Sequence, residues 1–274
     1  MNKKMVVALF ITMMMLIALP AAFRAEGEGE RTANKLSDKS KFSYPDNRMG
    51  EQKDLSDKFM FARIHFGPIF PGGYWGDRGE QWSHDFPEAG LHLRKILSEV
   101  SKTPVYVEEN EYVFTFNDPN LHKYPLAYIC EVGHLDMSED EIKGMREYLL
   151  RGGFLIVDDF RGDWEYQNFF EYVKRAFPEE EYKIKPLDVS HPIFNCFFSI
   201  KTLELNPMYR QRGYNFNPQF LGMEDKHGRL MMIINFNYDV SDYWQWSNDP
   251  FAPIEESNTA YKFGVNYIFY AMTH

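Results

Sequence analysis

The chain has 274 residues, 44% of them hydrophobic and 26% charged, which is the composition of one large or two small globular domains. Its formal net charge is −10, and no basic stripe offsets this acidity. An acidic surface repels phosphate backbones, so the sequence argues against nucleic acid as a partner.

The N-terminal stretch "MNKKMVVALFITMMMLIALPAA" has a basic start, an apolar run over residues 5–19 and small residues after a proline. This pattern predicts a signal peptide or N-terminal anchor over residues 1–25. We therefore expect an exported protein, periplasmic or extracellular, that meets the membrane only through this segment if it stays uncleaved. The polar sequence that follows predicts a flexible linker over residues 26–57 and a single α/β domain over 58–274.

The first half of the predicted domain alternates strands and helices. "FMFARIHF" and "LAYIC" read as strands, "VYVEENEYVFTF" as one or two more. A helix begins near Pro87, and its predicted buried stripe consists of Leu93, Ile96, Leu97 and Val100. Ser138 and Glu141 form a capping box that opens a second helix, which ends at Gly152-Gly153.

The second half repeats this alternation. "FLIV" is a continuous apolar run of the kind found in parallel strands covered on both faces, and "RLMMIINF" is a late strand. A helix ends before Pro178, a last helix closes the chain, and the segment 191–225 reads as irregular. The pattern predicts an α/β fold, a three-layer sandwich with a mostly parallel sheet and helices on both faces.

The loops that follow the predicted strands carry the tryptophans and most candidate polar groups. Ligands of open parallel sheets bind at the carboxyl edge, so these loops predict an aromatic-lined binding cleft. The predicted binding residues are Tyr74, Trp75, Trp82, His134, Asp158, Asp159, Arg161, Trp164 and Trp244. The alternative is that the long loops form a second small core.

Cys130 ends an apolar strand, and His134 follows four residues later. A nucleophile elbow needs small neighbours on both sides, and Ile129 and Glu131 flank this cysteine. The sequence therefore favours a buried thiol over a nucleophile. For Cys130 and Cys196 it favours two separate thiols over a disulfide.

Adjacent residues of a strand point to opposite sides, so one of Asp158 and Asp159 can face the cleft while the other holds a turn. Paired with His134, an aspartate could bind a metal, but no His-x-His or Glu-x-x-His spacing supports a metal site. For Asp158 and Asp159 the sequence favours hydrogen bonds that hold the following loop. It predicts no cofactor and no metal.

Several of these stretches resemble the family catalogued as domain of unknown function 4159. The resemblance rests on "FARIHFG", "WSHDFPEAGLHLRKIL", "LAYICEVGH", "LRGGFLIVDD" and "SHPIF" and covers roughly residues 59–274. It implies a flavodoxin-like fold related to class I glutamine amidotransferases and an exported or membrane-attached bacterial protein. It implies no activity.

Two functions follow as expectations. The first is a non-catalytic or degenerate binding module of the cell envelope, which holds a protein partner or a small polar ligand such as a saccharide. The alternative is a hydrolase or amidotransferase-like enzyme that uses Cys130 with His134, or a metal held by His134 and Asp158.

Overall fold

A computed structural model of the chain describes residues 57–60, 62–67, 81–108, 112–208, 213 and 215–274. All of them belong to one unit, Glu51–His274. The predicted signal peptide (1–25) and, apart from its last residue, the predicted linker (26–57) lie outside the described residues. So do Tyr74 and Trp75.

A seven-stranded sheet forms the centre of the domain. In chain order its strands are β1 (Ala62–Ile64), β2 (Tyr112–Phe114), β3 (Leu126–Cys130), β4 (Phe154–Phe160), β5 (Ile184–Pro186), β6 (Gln219–Glu224) and β7 (Leu230–Phe236). Their order across the sheet is β2-β1-β3-β4-β7-β6-β5, with β2, β1, β3, β4 and β7 parallel and only β6 and β5 joined by antiparallel pairings. The predicted α/β class with a mostly parallel sheet is confirmed.

The prediction of irregular structure over 191–225 is wrong at its end, where β6 pairs with β7. Its sequence, "QFLGME", alternates poorly because Gly222 interrupts it. A side chain at Gly222 would overlap Leu230 and crowd Leu187, so close packing requires glycine there.

Within the described ranges, five α-helices cover the two faces of the sheet. They are α1 (Glu88–Val100), α2 (Glu139–Leu150), α3 (Gly162–Ala176), α4 (Val240–Gln245) and α5 (Ile254–Thr273). The predicted capping box of α2 is confirmed, since the Ser138 hydroxyl accepts from the Glu141 N–H and the Glu141 carboxylate accepts from the Ser138 N–H. The predicted stripe of α1 is wrong at Val100, which is exposed at the helix end.

Two apolar cores lie on opposite faces of the sheet. Leu126 and Tyr128 of β3 point into a core with α1, α4 and α5, while Ala127 and Ile129 point into a core with α2 and α3. The period-two alternation of β3 thus supplies both layers. Because β1, β3, β4 and β7 are parallel, the loops that leave their carboxyl ends meet at one edge of the sheet.

Candidate functional site

Ionisable side chains from four of these loops converge at the carboxyl edge. His84 and Asp85 precede α1, Glu131 follows β3, Asp159 lies near the end of β4, and Asp239 follows β7. Ligand-type atoms of His84, Glu131 and Asp159 all lie within 4.8 Å of one another, as do those of Asp85, Asp159 and Asp239. We call these five residues the edge cluster.

The backbone beneath this cluster is unusual. Among the described residues, the non-glycine residues with positive φ are Asp85 (59°), Glu131 (52°), Asp159 (52°) and Asn237 (56°). A left-handed conformation costs a non-glycine residue on the order of 1–3 kcal/mol and tends to occur at functional sites. Three of the four residues belong to the edge cluster, so the strain is concentrated where the polar groups meet.

Glu131 occupies the turn between β3 and a short helical segment. β3 ends at Cys130, Glu131 is left-handed, and the short 3₁₀ helix Val132–His134 begins at once. A strand, a strained residue and a helical turn in succession are the geometry of a nucleophile elbow. The residue that the elbow presents is therefore Glu131 and not Cys130.

The sequence contains a signal for this elbow that an analysis centred on Cys130 misses. Gly133 lies two positions after Glu131, where the elbow pattern has a glycine, whereas the matching upstream position holds Ile129. A side chain at Gly133 would overlap Glu165 of α3, which packs against the turn. Glu131 was not among the predicted site residues.

Asp159 is the centre of the cluster's hydrogen bonding and charge. Its side chain is fully buried, Oδ1 accepts from Nη2 of Arg161, and Oδ2 lies 2.7 Å from Nδ1 of His84. Burial alone would raise the pKa of Asp159, but the Arg161 and His84 cations outweigh it and hold that pKa well below its ordinary value. Asp159 is therefore an anion that faces the site.

The pKa values of two other carboxyl groups, those of Glu131 and Asp239, are shifted in the opposite direction. Burial, reinforced by the charge of Asp159, raises the pKa of both Glu131 and Asp239 well above the ordinary value. Burial would lower the pKa of His84, but Asp85 and Asp159 outweigh it and raise that pKa well above its ordinary value. The edge cluster thus holds more carboxyl groups than its cations neutralise.

Arg161 is the permanent cation of the site. Its Nη2 bridges Asp159 and Asp239, with 2.7 Å to Oδ2 of Asp239, while its N–H donates to Glu165. The predicted site residues Asp159 and Arg161 are therefore in direct contact at the carboxyl edge.

Asp158 has a different role from its neighbour. It is fully buried and accepts hydrogen bonds from Asn235 Nδ2 (3.0 Å), Val240 N–H (3.2 Å), Ser241 N–H (2.9 Å) and the Tyr128 hydroxyl (3.2 Å). These contacts attach β4 to the start of α4, so Asp158 holds a turn while Asp159 faces the site. With its oxygens so occupied, Asp158 does not join His134 in a convergent set of ligand atoms.

Cys130 lies in the core at the end of β3. Its thiol is fully buried, Sγ is 3.3 Å from Nη1 of Arg63, and it points towards the carbonyl of Trp82 at 3.5 Å. Burial raises the pKa of this thiol well above its ordinary value. Cys130 and Cys196 are both free thiols, as the sequence favoured.

Arg63 was missed by the sequence analysis because a buried arginine in a short strand leaves no pattern. It lies over the ring of Tyr128, with 4.4 Å between its Cζ and the ring centroid. Its Nη1 donates to the carbonyl of His84 at 3.2 Å. Arg63 thereby fixes the segment that carries His84 and Asp85.

The predicted aromatic residues separate into two groups. Trp82 and Trp244 are each only 1% exposed and belong to the two cores, so in this conformation neither offers a ring to a ligand. Trp164 is 61% exposed, and its ring meets the edge of the His134 ring at 5.9 Å between centroids. His134 is half-buried, with Nε2 3.9 Å from Oε2 of Glu131.

A cavity of about 640 Å³ lies at the end of α1 away from the edge cluster, between Glu99–Thr103 and the rings of Phe197 and Phe269. Burial and charge define the edge cluster as the candidate site.

The sequence places this architecture and site in a known group. The family model described as "Domain of unknown function (DUF4159)" matches residues 60–272. The chain belongs to this family, as its sequence motifs predicted. A search of the curated proteins found no match. Within the described part of the chain, none of the helices combines the length and apolar character that a bilayer crossing needs.

Proposed function

We propose that this chain is an exported binding domain of the cell envelope that holds a small polar ligand at the carboxyl edge of its sheet. The supporting observation is the convergence of His84, Glu131, Asp159 and Arg161 from separate loops onto one edge. The topology is also compatible with the finer proposal of a flavodoxin-like fold related to class I glutamine amidotransferases.

The chemistry of the edge favours a ligand rich in hydroxyl groups, such as a saccharide. Carboxylates accept hydrogen bonds from hydroxyls, Arg161 supplies donors, and the exposed Trp164 offers an apolar ring beside His134. An envelope protein partner that presents similar groups remains within this proposal.

A second candidate function rests on the elbow. A carboxylate in a strand–turn–helix elbow can act as a nucleophile or general base, so Glu131 favours a hydrolase that does not use a thiol. The burial of Cys130 counts against the thiol version of this enzyme, and the four hydrogen bonds to Asp158 count against a metal held by Asp158 and His134.

Binding is tested by screening the purified full-length chain against a saccharide array and titrating the hits by tryptophan fluorescence. Trp164→Ala and Glu131→Gln should each weaken binding at least about fivefold, because the loss of a stacking ring and an unsatisfied buried hydrogen bond each cost on the order of 1–3 kcal/mol. Phe197→Ala is the matched control, since Phe197 is a partly exposed aromatic residue at the other end of α1. No saccharide hit, or hits that both site variants bind as tightly as the wild type, would contradict the proposal.

A further inference from the structure

We propose that His84, Glu131 and Asp159 form a binding site for one divalent transition-metal ion. A ring nitrogen and two carboxylates are within 4.8 Å of one another, which lets a single ion contact all three. This inference does not depend on the ligand proposed above.

The three side chains come from segments whose backbones are fixed to one another. The N–H of Glu131 donates to the carbonyl of Asp159 at 3.1 Å, so the turns that carry these two carboxylates are joined directly. Arg63 holds the carbonyl of His84, as described above. The site is therefore positioned by the sheet rather than by the side chains alone.

The observation that points to a cation is a pair of buried carboxylate oxygens that share a single ring nitrogen, Nδ1 of His84. Oδ2 of Asp159 and Oδ1 of Asp85 are buried and accept no hydrogen bond of good geometry among the described residues. Both face Nδ1 of His84, at 2.7 and 3.2 Å. A single proton on that nitrogen cannot lie in line with both oxygens, so one buried carboxylate oxygen stays uncompensated.

The local charge points in the same direction. Among the described residues, four carboxyl groups, those of Asp85, Glu131, Asp159 and Asp239, lie around one guanidinium, that of Arg161, and one imidazole, that of His84. Like charges so close together in a buried setting destabilise each other, and a divalent ion relieves this repulsion. The raised carboxyl pKa values described above agree with this excess of carboxyl groups over cations, which the geometry shows by itself.

The other convergent set, Asp85 with Asp159 and Asp239, is less suited to a metal. Oδ2 of Asp239 already accepts from Arg161, and Oδ1 accepts from the Asp242 N–H at 3.1 Å. His84, in contrast, has a side chain that is 47% exposed, which opens the first set to ions from solvent.

The donor set indicates which ions fit. One imidazole nitrogen with two carboxylate oxygens suits Zn²⁺ or Mn²⁺ better than Ca²⁺ or Mg²⁺, which favour oxygen ligands only. Three protein ligands also leave a coordination position for water or a substrate group.

The test is equilibrium dialysis of the full-length chain, prepared without a histidine tag and stripped with chelator, against Zn²⁺. We expect one equivalent of zinc to bind. His84→Gln and Glu131→Gln should each weaken zinc binding at least about tenfold. Even the loss of a residue that only hydrogen-bonds to a metal ligand typically weakens metal binding by this factor. His227→Gln and Glu180→Gln are matched controls, because both residues are exposed and lie in turns away from the carboxyl edge, and both variants should bind zinc like the wild type.

Two results would overturn the inference: less than one equivalent bound by the wild type, or equal zinc affinity in the wild type and both ligand variants. If a ligand variant fails to fold, thermal melting of the wild type decides the question. Zinc should raise the melting temperature of the stripped protein, because an ion that binds only the folded state stabilises it. An unchanged melting temperature across a titration to millimolar zinc would refute the site.

Discussion

Replacing Asp158 by alanine should reduce the free energy of unfolding by about 3–5 kcal/mol. The carboxylate is fully buried and accepts from two backbone N–H groups, those of Val240 and Ser241, and from the side chains of Asn235 and Tyr128. The Tyr128 hydroxyl retains Ser241 Oγ at 2.8 Å, so three donors lose an acceptor. Each buried donor left unsatisfied costs about 1–3 kcal/mol, and water that enters the space left behind reduces the sum.

The measurement is urea unfolding, followed by tryptophan fluorescence and by far-ultraviolet circular dichroism. Asp225→Ala is the matched control, because Asp225 also accepts several hydrogen bonds, from His227 N–H and from the N–H and Nε of Arg229, but near solvent. Water can replace the Asp225 carboxylate, so we expect a loss of only about 1 kcal/mol there. If Asp158→Ala is no more destabilising than Asp225→Ala, the buried bonds do not have the role we assign to them.

Three further predictions concern the thiols, the acidic edge and helix packing. In the folded protein at pH 8, the buried Cys130 should resist alkylation by iodoacetamide, and the partly buried Cys196 should react slowly, because burial raises the pKa of both thiols. Rapid labelling of Cys130 would show an accessible thiolate and contradict this prediction. Burial, together with the charges of Asp85 and Asp159, raises the pKa of Asp242 to about 7 in the folded protein, above its value in the unfolded chain. The stability that protonated Asp242 contributes at low pH is therefore lost as the pH rises through 7. Asp242→Asn should therefore leave the melting temperature nearly unchanged at about pH 4 and stabilise the fold by about 2–4 kcal/mol at about pH 8, whereas equal effects at both pH values would be inconsistent with a raised pKa. Gly144→Ala should destabilise by about 1–3 kcal/mol despite the better helix propensity of alanine, because the added methyl would overlap the carbonyl of Phe116; urea unfolding that shows a gain would contradict this packing.

Much of the fold could be predicted because its signals are local. β3 was predicted at its observed residues because five apolar side chains lie between a proline and a glutamate. The start of α2 followed from a capping box, which needs only Ser138 and the residue three positions later. β5 was not predicted because it has only three residues. β6 was not predicted because it is stabilised by pairing with β7 and by the packing of Gly222 against side chains distant in sequence.

The candidate site was only partly predictable because long-range contacts build it. Asp159 and Arg161 were identified, since they follow an obvious parallel strand. Glu131 was not identified, because its position in the site depends on a left-handed backbone conformation that a glutamate does not predict. Trp82 and Trp244 were assigned to a cleft because the sequence predicted both in loops. That prediction is wrong for Trp244, which lies in α4, and both side chains pack into the apolar cores, where a large aromatic ring buries the most surface.

The turn at the end of β3 has a consequence for how chemistry can change in this family. The hydrogen bonds that hold Glu131 in this turn, from its N–H to the Asp159 carbonyl and from the His134 N–H to its own carbonyl, join backbone groups. Exchanging the side chain at position 131 therefore leaves the turn intact, provided that the new residue is not β-branched and so tolerates positive φ. The fold thus holds position 131 independently of its side chain, so the group presented at this turn can change while the carboxyl edge keeps its shape.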